Sequence, residues 1–315
     1  MIHFCVLGTA AGGAPTLHRL PAAVVVRIDA DVFLFDCGEG TQRQLIRAQV
    51  SRRKLRLIAI THLHGDHVLG LPPLLSSMSS DRRTEPLLLV GPPGLQELIE
   101  TVLRLTDVRL TFEVRIRELL PGSAGTLLEE QGWVLRYATL EHTVPSFGFR
   151  LQERRPWVFD MERLQRFGLR PGRLLGELKQ RGEIHLPDGR RVRLEEVASP
   201  QHQPSLVYCG DTQPCRAAVE LARGADLLLH EATFAEEHAA LARQTRHSTA
   251  ADAATVAAKA GVGELLLMHF STRYDELEPL LYEARRIFPR TRLAQELSWE
   301  SVPASPVQTP AEGVP

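Results

Sequence analysis

The 315-residue sequence has few cysteines and no long apolar run. The four cysteines are widely spaced and form no CxxC pair: Cys5, Cys37, Cys209 and Cys215. This usage is typical of small core residues in a reducing compartment and argues against a disulfide framework. The longest apolar stretches, residues 23–26 and 265–268, are only strand-sized. We therefore expect no membrane-spanning helix, and, without a leader pattern after Met1, a cytoplasmic protein.

The chain also has almost no net charge, with 37 Lys and Arg against 38 Asp and Glu. Bulk attraction to nucleic acid or membrane is therefore excluded. Residues 154–193 depart from this balance, because they hold eleven basic and five acidic residues and several Gly and Pro. Two interpretations of this segment remain open. It is either a protruding basic arm that binds phosphates, or a solvated, flexible insertion without a partner.

Strand-like and helix-like patterns alternate along the chain. Strands are expected at residues 2–7, 23–28, 32–35 and 87–90, and helices at residues 42–48, with Thr41 as a candidate cap, 69–79 and 93–105. The second half continues with strands at residues 133–140, 146–151, 205–209, 226–230 and 264–269, and a helix at 250–260. This order predicts an α/β layered fold. Residues 303–315 are Pro-rich and predict a disordered tail.

Three histidines and an aspartate lie within six residues, after the apolar run 57–60: His62, His64, Asp66 and His67. Imidazole nitrogen and carboxylate oxygen suit a borderline cation such as zinc, and no thiolate is present to close a purely structural site. His62 and His64 can share one face of an extended chain, whereas Asp66 and His67 lie beyond a glycine, where the backbone can turn. We expect two metal ions. The structural alternative is a polar loop whose histidines cap strands or helices.

Three further polar residues follow apolar strands: His142, Asp211 and His269. Active sites gather at such strand ends in layered α/β folds. The seven residues together could hold two ions, and Asp211 is the natural bridge because its two oxygens can serve ions about 3.5–4 Å apart.

A site with two such ions would be expected to hydrolyse a phosphoryl or acyl bond. Metal coordination can bring the pKa of water to about 7, which gives a hydroxide nucleophile at neutral pH. Asp66 could orient or deprotonate the attacking water. His247 and Glu231 are candidates for the leaving-group side. Their structural alternatives are helix capping for His247 and core hydrogen bonding for Glu231.

These residues resemble the metallo-β-lactamase superfamily, whose signature is the run 62–67 followed by His142, Asp211 and His269. Further stretches resemble the ribonuclease Z family of tRNA 3′-processing endonucleases within it: residues 7–9, 35–42, 210–212, 230–234, 247–249 and 269–274. The similarity spans about residues 2–300. One departure lies at residues 18–20, His-Arg-Leu, where family members commonly place Lys or Arg followed by Arg-Asn.

The resemblance implies a four-layer αβ/βα metallo-β-lactamase sandwich, a fold of the α/β class, with an inserted flexible basic arm. The catalytic domain would cover residues 1–302, with the arm at about 154–193. The resemblance also implies a homodimer in which the arm binds the tRNA body on the partner subunit, which favours RNA binding for this segment. The residues expected to bind substrate are Arg170, Arg173, Lys179, Arg181 and Arg273.

The resemblance also assigns the seven ligands to two Zn²⁺ ions per subunit, with Mn²⁺ or Mg²⁺ as alternative ions. One zinc would be held by His62, His64 and His142. The other would be held by Asp66, His67 and His269, with Asp211 as the bridge. Asp66 would accept a proton, and Glu231 and His247 would act at the scissile phosphate.

The sequence therefore predicts a zinc-dependent endoribonuclease without a membrane partner. It would remove the 3′ trailer of precursor tRNA by metal-hydroxide attack, leaving a 3′-hydroxyl on the tRNA and a 5′-phosphate on the trailer. Two other hypotheses stay open. One is a hydrolase of the same fold acting on a small sulfate, lactam or thioester, and the other is a non-catalytic RNA-binding subunit with a degenerate metal site.

Overall fold

A computed structural model describes residues 1–12 and 16–303. The described chain divides into two compact units, the first formed by Met1–Glu153 with residues 204–303, and the second by Arg154–Gln203. The tail predicted for residues 303–315 lies, apart from Pro303, outside the described residues.

The strands, in chain order, are β1 (Ile2–Gly8), β2 (Ala10–Ala11), β3 (Ala23–Ile28), β4 (Asp31–Phe35), β5 (Leu55–Ala59), β6 (Leu87–Gly91), β7 (Val114–Glu118), β8 (Ala124–Glu129), β9 (Trp133–Leu140), β10 (Ser146–Glu153), β11 (Val158–Phe159), β12 (Glu183–His185), β13 (Arg191–Arg193), β14 (Ala198–Ser199), β15 (Ser205–Cys209), β16 (Leu227–Glu231), β17 (Glu264–Met268), β18 (Phe270–Ser271), β19 (Thr291–Leu293) and β20 (Trp299–Ser301).

The α-helices are α1 (Thr41–Arg47), α2 (Gly65–Val68), α3 (Leu71–Ser80), α4 (Leu95–Leu105), α5 (Met161–Arg166), α6 (Arg173–Arg181), α7 (Leu194–Val197), α8 (Arg216–Ala222), α9 (Ala239–Thr245), α10 (Ala250–Ala260) and α11 (Glu278–Arg285). None of the helices in the described ranges is both long enough and apolar enough to cross a bilayer.

The first unit is built on two seven-stranded sheets, ordered β20-β1-β3-β4-β5-β6-β7 and β19-β17-β16-β15-β10-β9-β8. One face of each sheet packs on the other. Phe35 of the first sheet stacks on Phe149 and Tyr208 of the second, with ring centroids 5.6 and 5.8 Å apart. Helices α1, α3 and α4 cover the outer face of the first sheet, and α8, α10 and α11 that of the second. The predicted αβ/βα sandwich is confirmed.

Parallel pairing brings several strand ends to one edge. Strand β15 pairs with β16, and β16 with β17, in parallel, with Cys209 opposite His230 and Glu231 opposite Met268. In the first sheet, β4 and β5 are also parallel, with Phe35 opposite Ala59. Because the carboxyl ends of parallel strands lie at the same edge, the residues that follow them converge there.

One local prediction was wrong and one was incomplete. Thr41 does not cap α1; it is the first residue of the helix, its hydroxyl donates to the carbonyl of Gly38, and Gly40 is the capping residue with φ of 82°. The helix predicted at residues 69–79 is confirmed as α3, with its bounds shifted by one or two residues, but the sequence did not predict the short helix α2 that precedes it. Asp66 and His67 therefore lie in the first turn of a helix, which fixes their side-chain directions more firmly than a loop would.

The second unit has more regular structure than its Gly and Pro content predicted. It contains three short helices and two short strand pairs, β11 with β14 and β12 with β13. Asp160 caps α5 by accepting from the amides of Glu162 and Arg163. The unit has its own apolar cluster, formed by Leu164, Leu169, Leu175, Leu178, Ile184, Leu186, Val192 and Val197.

Candidate metal centre

The structure brings all seven predicted ligands of the first unit together. His62 and His64 follow β5, and Asp66 and His67 lie on α2. The other three follow strands of the second sheet: His142 after β9, Asp211 after β15 and His269 after β17. Their convergence follows from the parallel arrangement of the strand ends and from the packing of the two sheets.

The ligand atoms form two groups. His62, His64, His142 and Asp211 each offer one atom within 4.8 Å of the others. In the second group, Asp66, His67 and His269 likewise each offer one atom within 4.8 Å of the others.

Asp211 lies between the two groups. Its Oδ2 is 3.5 Å from His62 Nε2, and its Oδ1 is 3.4 Å from His67 Nε2. Each carboxylate oxygen thus faces a different group of ligands.

Burial and hydrogen bonding fit a cation at this position. Asp211 is 2% exposed, and its Oδ1 has no hydrogen-bond partner in the described part of the chain. A buried carboxylate oxygen without a donor is costly unless a positive charge compensates it. Burial lowers the pKa values of His62, His64 and His142, which favours the neutral imidazole that binds metals. The residues present therefore fit a divalent metal centre.

A buried network that sequence reasoning missed orients these ligands. Asp36 Oδ2 lies 2.8 Å from His67 Nδ1 and accepts from the Tyr208 hydroxyl at 2.7 Å. Asp36 Oδ1 accepts from the Thr61 amide at 2.7 Å, and the Thr61 hydroxyl is 3.0 Å from His62 Nδ1. Both imidazoles thereby keep Nε2 free for a metal. Asp36 could have been found from its position after the apolar strand β4, because Asp211 was identified from the same kind of position.

The buried Glu231 and the partly buried His247 form a pair beside the candidate ligands. His247 Nδ1 is 2.9 Å from Glu231 Oε1, and that oxygen also accepts from the Thr212 amide at 2.8 Å. The Thr233 hydroxyl donates to Glu231 Oε2 at 2.6 Å. Burial lowers the pKa of His247, but the adjacent Glu231 carboxylate outweighs this effect and raises it to about 9. The pair therefore favours a protonated imidazole held in a fixed orientation.

A cleft opens above the ligands. Its lining includes Gly12, Asp66, Phe234, His247 and Ser271. The Gly12 amide donates to Asp66 Oδ2 at 2.8 Å. Burial raises the pKa of Asp66, but the hydrogen bond with His269 and the charges of His67 and His269 lower it overall. Asp66 is thus an anionic carboxylate facing the cleft.

The predicted substrate-binding residues are divided between the two units. Arg273 lies at the rim of the cleft, with its Nε 3.0 Å from Ser271 Oγ and its guanidinium 5.1 Å from the Phe234 ring centroid. The other four belong to the second unit: Arg170, Arg173, Lys179 and Arg181.

Comparisons with known proteins agree with this geometry. Residues 2–154 match the family model for the anti-Pycsar protein Apyc1, and residues 192–270 match that for the beta-lactamase superfamily domain. Ribonuclease Z of Methanosarcina acetivorans is 40% identical over 309 residues, which cover 97% of this chain and 100% of the relative. Ribonuclease Z of Gloeothece citriformis is 41% identical over 306 residues, covering 94% and 95%.

A solved structure extends the likeness to the fold. The crystal structure of human tRNase Z, short form, is 28% identical, with a TM-score of 0.70 over 96% of this chain and 99% of that one. The match in sequence runs almost from end to end, and the fold brings the residues of the superfamily signature together. The chain therefore belongs to the ribonuclease Z family of the metallo-β-lactamase superfamily.

Proposed function

We propose that this chain is a zinc-dependent endoribonuclease that removes the 3′ trailer of precursor tRNA. The cut leaves a 3′-hydroxyl on the tRNA and a 5′-phosphate on the trailer. The observation that carries the proposal is Asp211, a buried carboxylate whose two oxygens face two separate groups of metal-binding side chains. Membership of the ribonuclease Z family supports the choice of tRNA as substrate.

The donor set supports two zinc ions per subunit. His62, His64 and His142 would hold one, Asp66, His67 and His269 the other, and Asp211 would join them. Nitrogen and oxygen donors without thiolate suit zinc in a catalytic site, and Mn²⁺ or Mg²⁺ are alternative ions. When bound, the ions supply a water of lowered pKa and electrostatic stabilisation of charge on the phosphoryl oxygens.

Side chains of the protein accept and donate the protons of the reaction. Asp66 faces the cleft as an anion and accepts the proton of the attacking water. His247 is held through Nδ1 by Glu231 and donates a proton to the 3′-oxygen of the tRNA as that oxygen departs. Thr212 and Thr233 fix the Glu231 carboxylate, so the imidazole keeps one orientation during the reaction.

The second unit supplies the tRNA-binding arm. Its basic side chains are not equivalent, because several are already paired. Arg173 contacts Glu177 at 3.1 Å, and the Lys179 ammonium lies 5.0 Å from the Phe159 ring centroid. In contrast, three arginine side chains form no hydrogen bond or ion pair within residues 1–12 and 16–303: Arg166, Arg170 and Arg181. These three are free to contact phosphates.

The resemblance supports a cytoplasmic homodimer in which the arm of one subunit binds the tRNA body on the partner subunit. Light scattering of the purified protein tests the assembly. A mass of one chain would contradict the dimer without affecting the proposed chemistry.

Cut-site mapping tests the proposed function. Purified protein with zinc should cleave a precursor tRNA at the base of its 3′ trailer. The products should be a tRNA with a 3′-hydroxyl and a trailer with a 5′-phosphate. Asp66→Ala should abolish cleavage, and Asp107→Ala, which changes an exposed carboxylate, should not. Cleavage unaffected by Asp66→Ala would contradict the proposed mechanism. Hydrolysis of a small lactam in preference to the tRNA would contradict tRNA as the substrate.

A further inference from the structure

Glu296 is not among the candidate metal ligands, yet its carboxylate accepts four hydrogen bonds from residues that are distant in the sequence. Its Oε1 accepts from the Thr9 amide at 2.9 Å, the Thr9 hydroxyl at 2.9 Å and the Leu20 amide at 3.1 Å. Its Oε2 accepts from Gln44 Nε2 at 3.3 Å. No basic side chain forms an ion pair with it in the described part of the chain.

The groups that Glu296 binds lie where two passages of chain run side by side. Ala10 donates its amide to the Leu20 carbonyl at 2.8 Å. A Cβ added at Gly8 would lie 1.9 Å from the Pro21 carbonyl oxygen, so only glycine permits this approach. Glu296 thus joins Thr9 to Leu20 at the point where the two passages are closest.

The first passage continues to the cleft, and the second lies beside it. Beyond Thr9, the amide of Gly12 donates to Asp66 Oδ2 at 2.8 Å. Before Leu20, the Arg19 guanidinium donates to the carbonyl of Tyr274 at 2.7 Å. Gly12 lines the cleft beside Ser271 and Thr272. The position of this wall therefore depends on how the two passages are held together.

We propose that Glu296 is a positioning residue that joins residues 9–12, whose Gly12 forms part of the cleft wall, to residues 16–21 and so holds Gly12 against Asp66. This inference rests on the proposed function. Glu296 touches neither substrate nor metal ligand; it acts through the Thr9 and Leu20 amides. Because Asp66 works on the attacking water, a displaced wall slows the chemical step for every phosphodiester substrate.

Two substitutions separate hydrogen bonding from charge. Glu296→Ala leaves two amides and a hydroxyl without their acceptor, a loss that buried groups tolerate poorly. Glu296→Gln keeps an oxygen that can accept from Thr9 and Leu20, although its amino group replaces the oxygen facing Gln44. Glu300→Ala is a matched control, since Glu300 lies four residues further along and pairs instead with Arg292 at 2.8 Å.

The experiment uses the zinc-loaded full chain and two readouts. In Glu296→Ala, residue-resolved hydrogen exchange of the Thr9 and Leu20 amides should accelerate. The kcat should fall about tenfold or more on both precursor tRNA and bis(p-nitrophenyl) phosphate, because misplaced catalytic groups cost this much. Glu296→Gln should stay within about threefold of the unchanged protein on both measures, and Glu300→Ala should match the unchanged protein.

Unchanged exchange or unchanged kcat in Glu296→Ala would overturn the inference, as would an equal loss in Glu296→Gln. If Glu296→Ala does not fold, Thr9→Val serves instead. It removes one donor and should slow both substrates by a smaller factor; no effect would overturn the inference. If the unchanged protein fails to cut precursor tRNA, the proposed function fails, whereas amide exchange and the small diester still decide the role of Glu296.

Discussion

The Tyr208 hydroxyl donates a hydrogen bond of 2.7 Å to Asp36 Oδ2, although the two residues are 172 positions apart. Both side chains are buried, and the same carboxylate oxygen lies 2.8 Å from His67 Nδ1. Tyr208 belongs to the second sheet and Asp36 follows a strand of the first. The contact therefore links the packing of the two sheets to the orientation of the His67 imidazole, a proposed metal ligand.

Removing either partner should weaken metal binding. Asp36→Ala leaves the His67 ring without its acceptor and should lower zinc affinity about 10–100-fold. Tyr208→Phe keeps that acceptor and should cause a smaller loss. Titration against a competing chelator measures both, with Tyr137→Phe as the control because the Tyr137 hydroxyl lies 3.3 Å from Ser123, outside this network. Equal affinities in all four proteins would contradict the role of the network.

The convergence of the candidate metal ligands could be predicted from sequence because local spacing and strand ends reveal it. His62, His64, Asp66 and His67 are crowded into six residues, and Asp211 directly follows a strand and a glycine. The supporting residues were harder to find. Tyr208 and Glu296 act through contacts across more than 150 positions, and nothing in their immediate neighbourhood distinguishes them from ordinary residues of a strand and a loop.

The fold was predictable to a similar extent. Most central strands are predominantly apolar and were recognised, whereas the edge strands β7 and β8 have mixed polar patterns and were not. The sequence indicated a flexible arm or insertion for the second unit, because its Gly and Pro residues mask the apolar spacing of Leu175 and Leu178 on α6. Only tertiary packing of those leucines reveals its small core.

Neutralising the unpaired arginines of the second unit should weaken tRNA binding. Arg170→Gln with Arg181→Gln should raise KM for precursor tRNA and lower the dependence of binding on salt by about one unit of log-log slope for each lost phosphate contact. Hydrolysis of bis(p-nitrophenyl) phosphate should not change, since neither residue belongs to the ligand set. Kinetics at several salt concentrations provide the measurement.

The matched control for these arginines is Arg173→Gln with Arg190→Gln. Arg173 and Arg190 already contact Glu177 and Asp188, at 3.1 and 2.7 Å, so their loss should have a smaller effect on KM. Deleting residues 158–192 should raise KM more than either pair and should spare the small diester. A similar loss of activity on both substrates would argue against a binding arm.

Glu296 should also give the protein a pH-dependent stability. Burial raises the pKa of Glu296 above its ordinary value of 4.5, so the folded protein binds this proton more tightly than the unfolded chain. Its contribution is fully present below the unfolded pKa and is lost as pH rises through the folded pKa. The free energy of unfolding, measured in urea relative to Glu296→Gln, should therefore fall as the pH rises above about 4.5. A difference that stays constant or rises would contradict the raised pKa.

The His247 side chain should matter most when the leaving group is poor. His247→Ala removes the proton donor held by Glu231 and should lower kcat on precursor tRNA about 100-fold or more, because a ribose 3′-oxygen departs slowly without a proton. A p-nitrophenolate leaves readily as an anion, so kcat on bis(p-nitrophenyl) phosphate should fall less than about tenfold. His238→Ala is the control, since His238 contacts the Tyr274 hydroxyl and not Glu231. Equal losses on both substrates in His247→Ala would assign the residue to metal or substrate positioning, and the proton would then have to come from elsewhere.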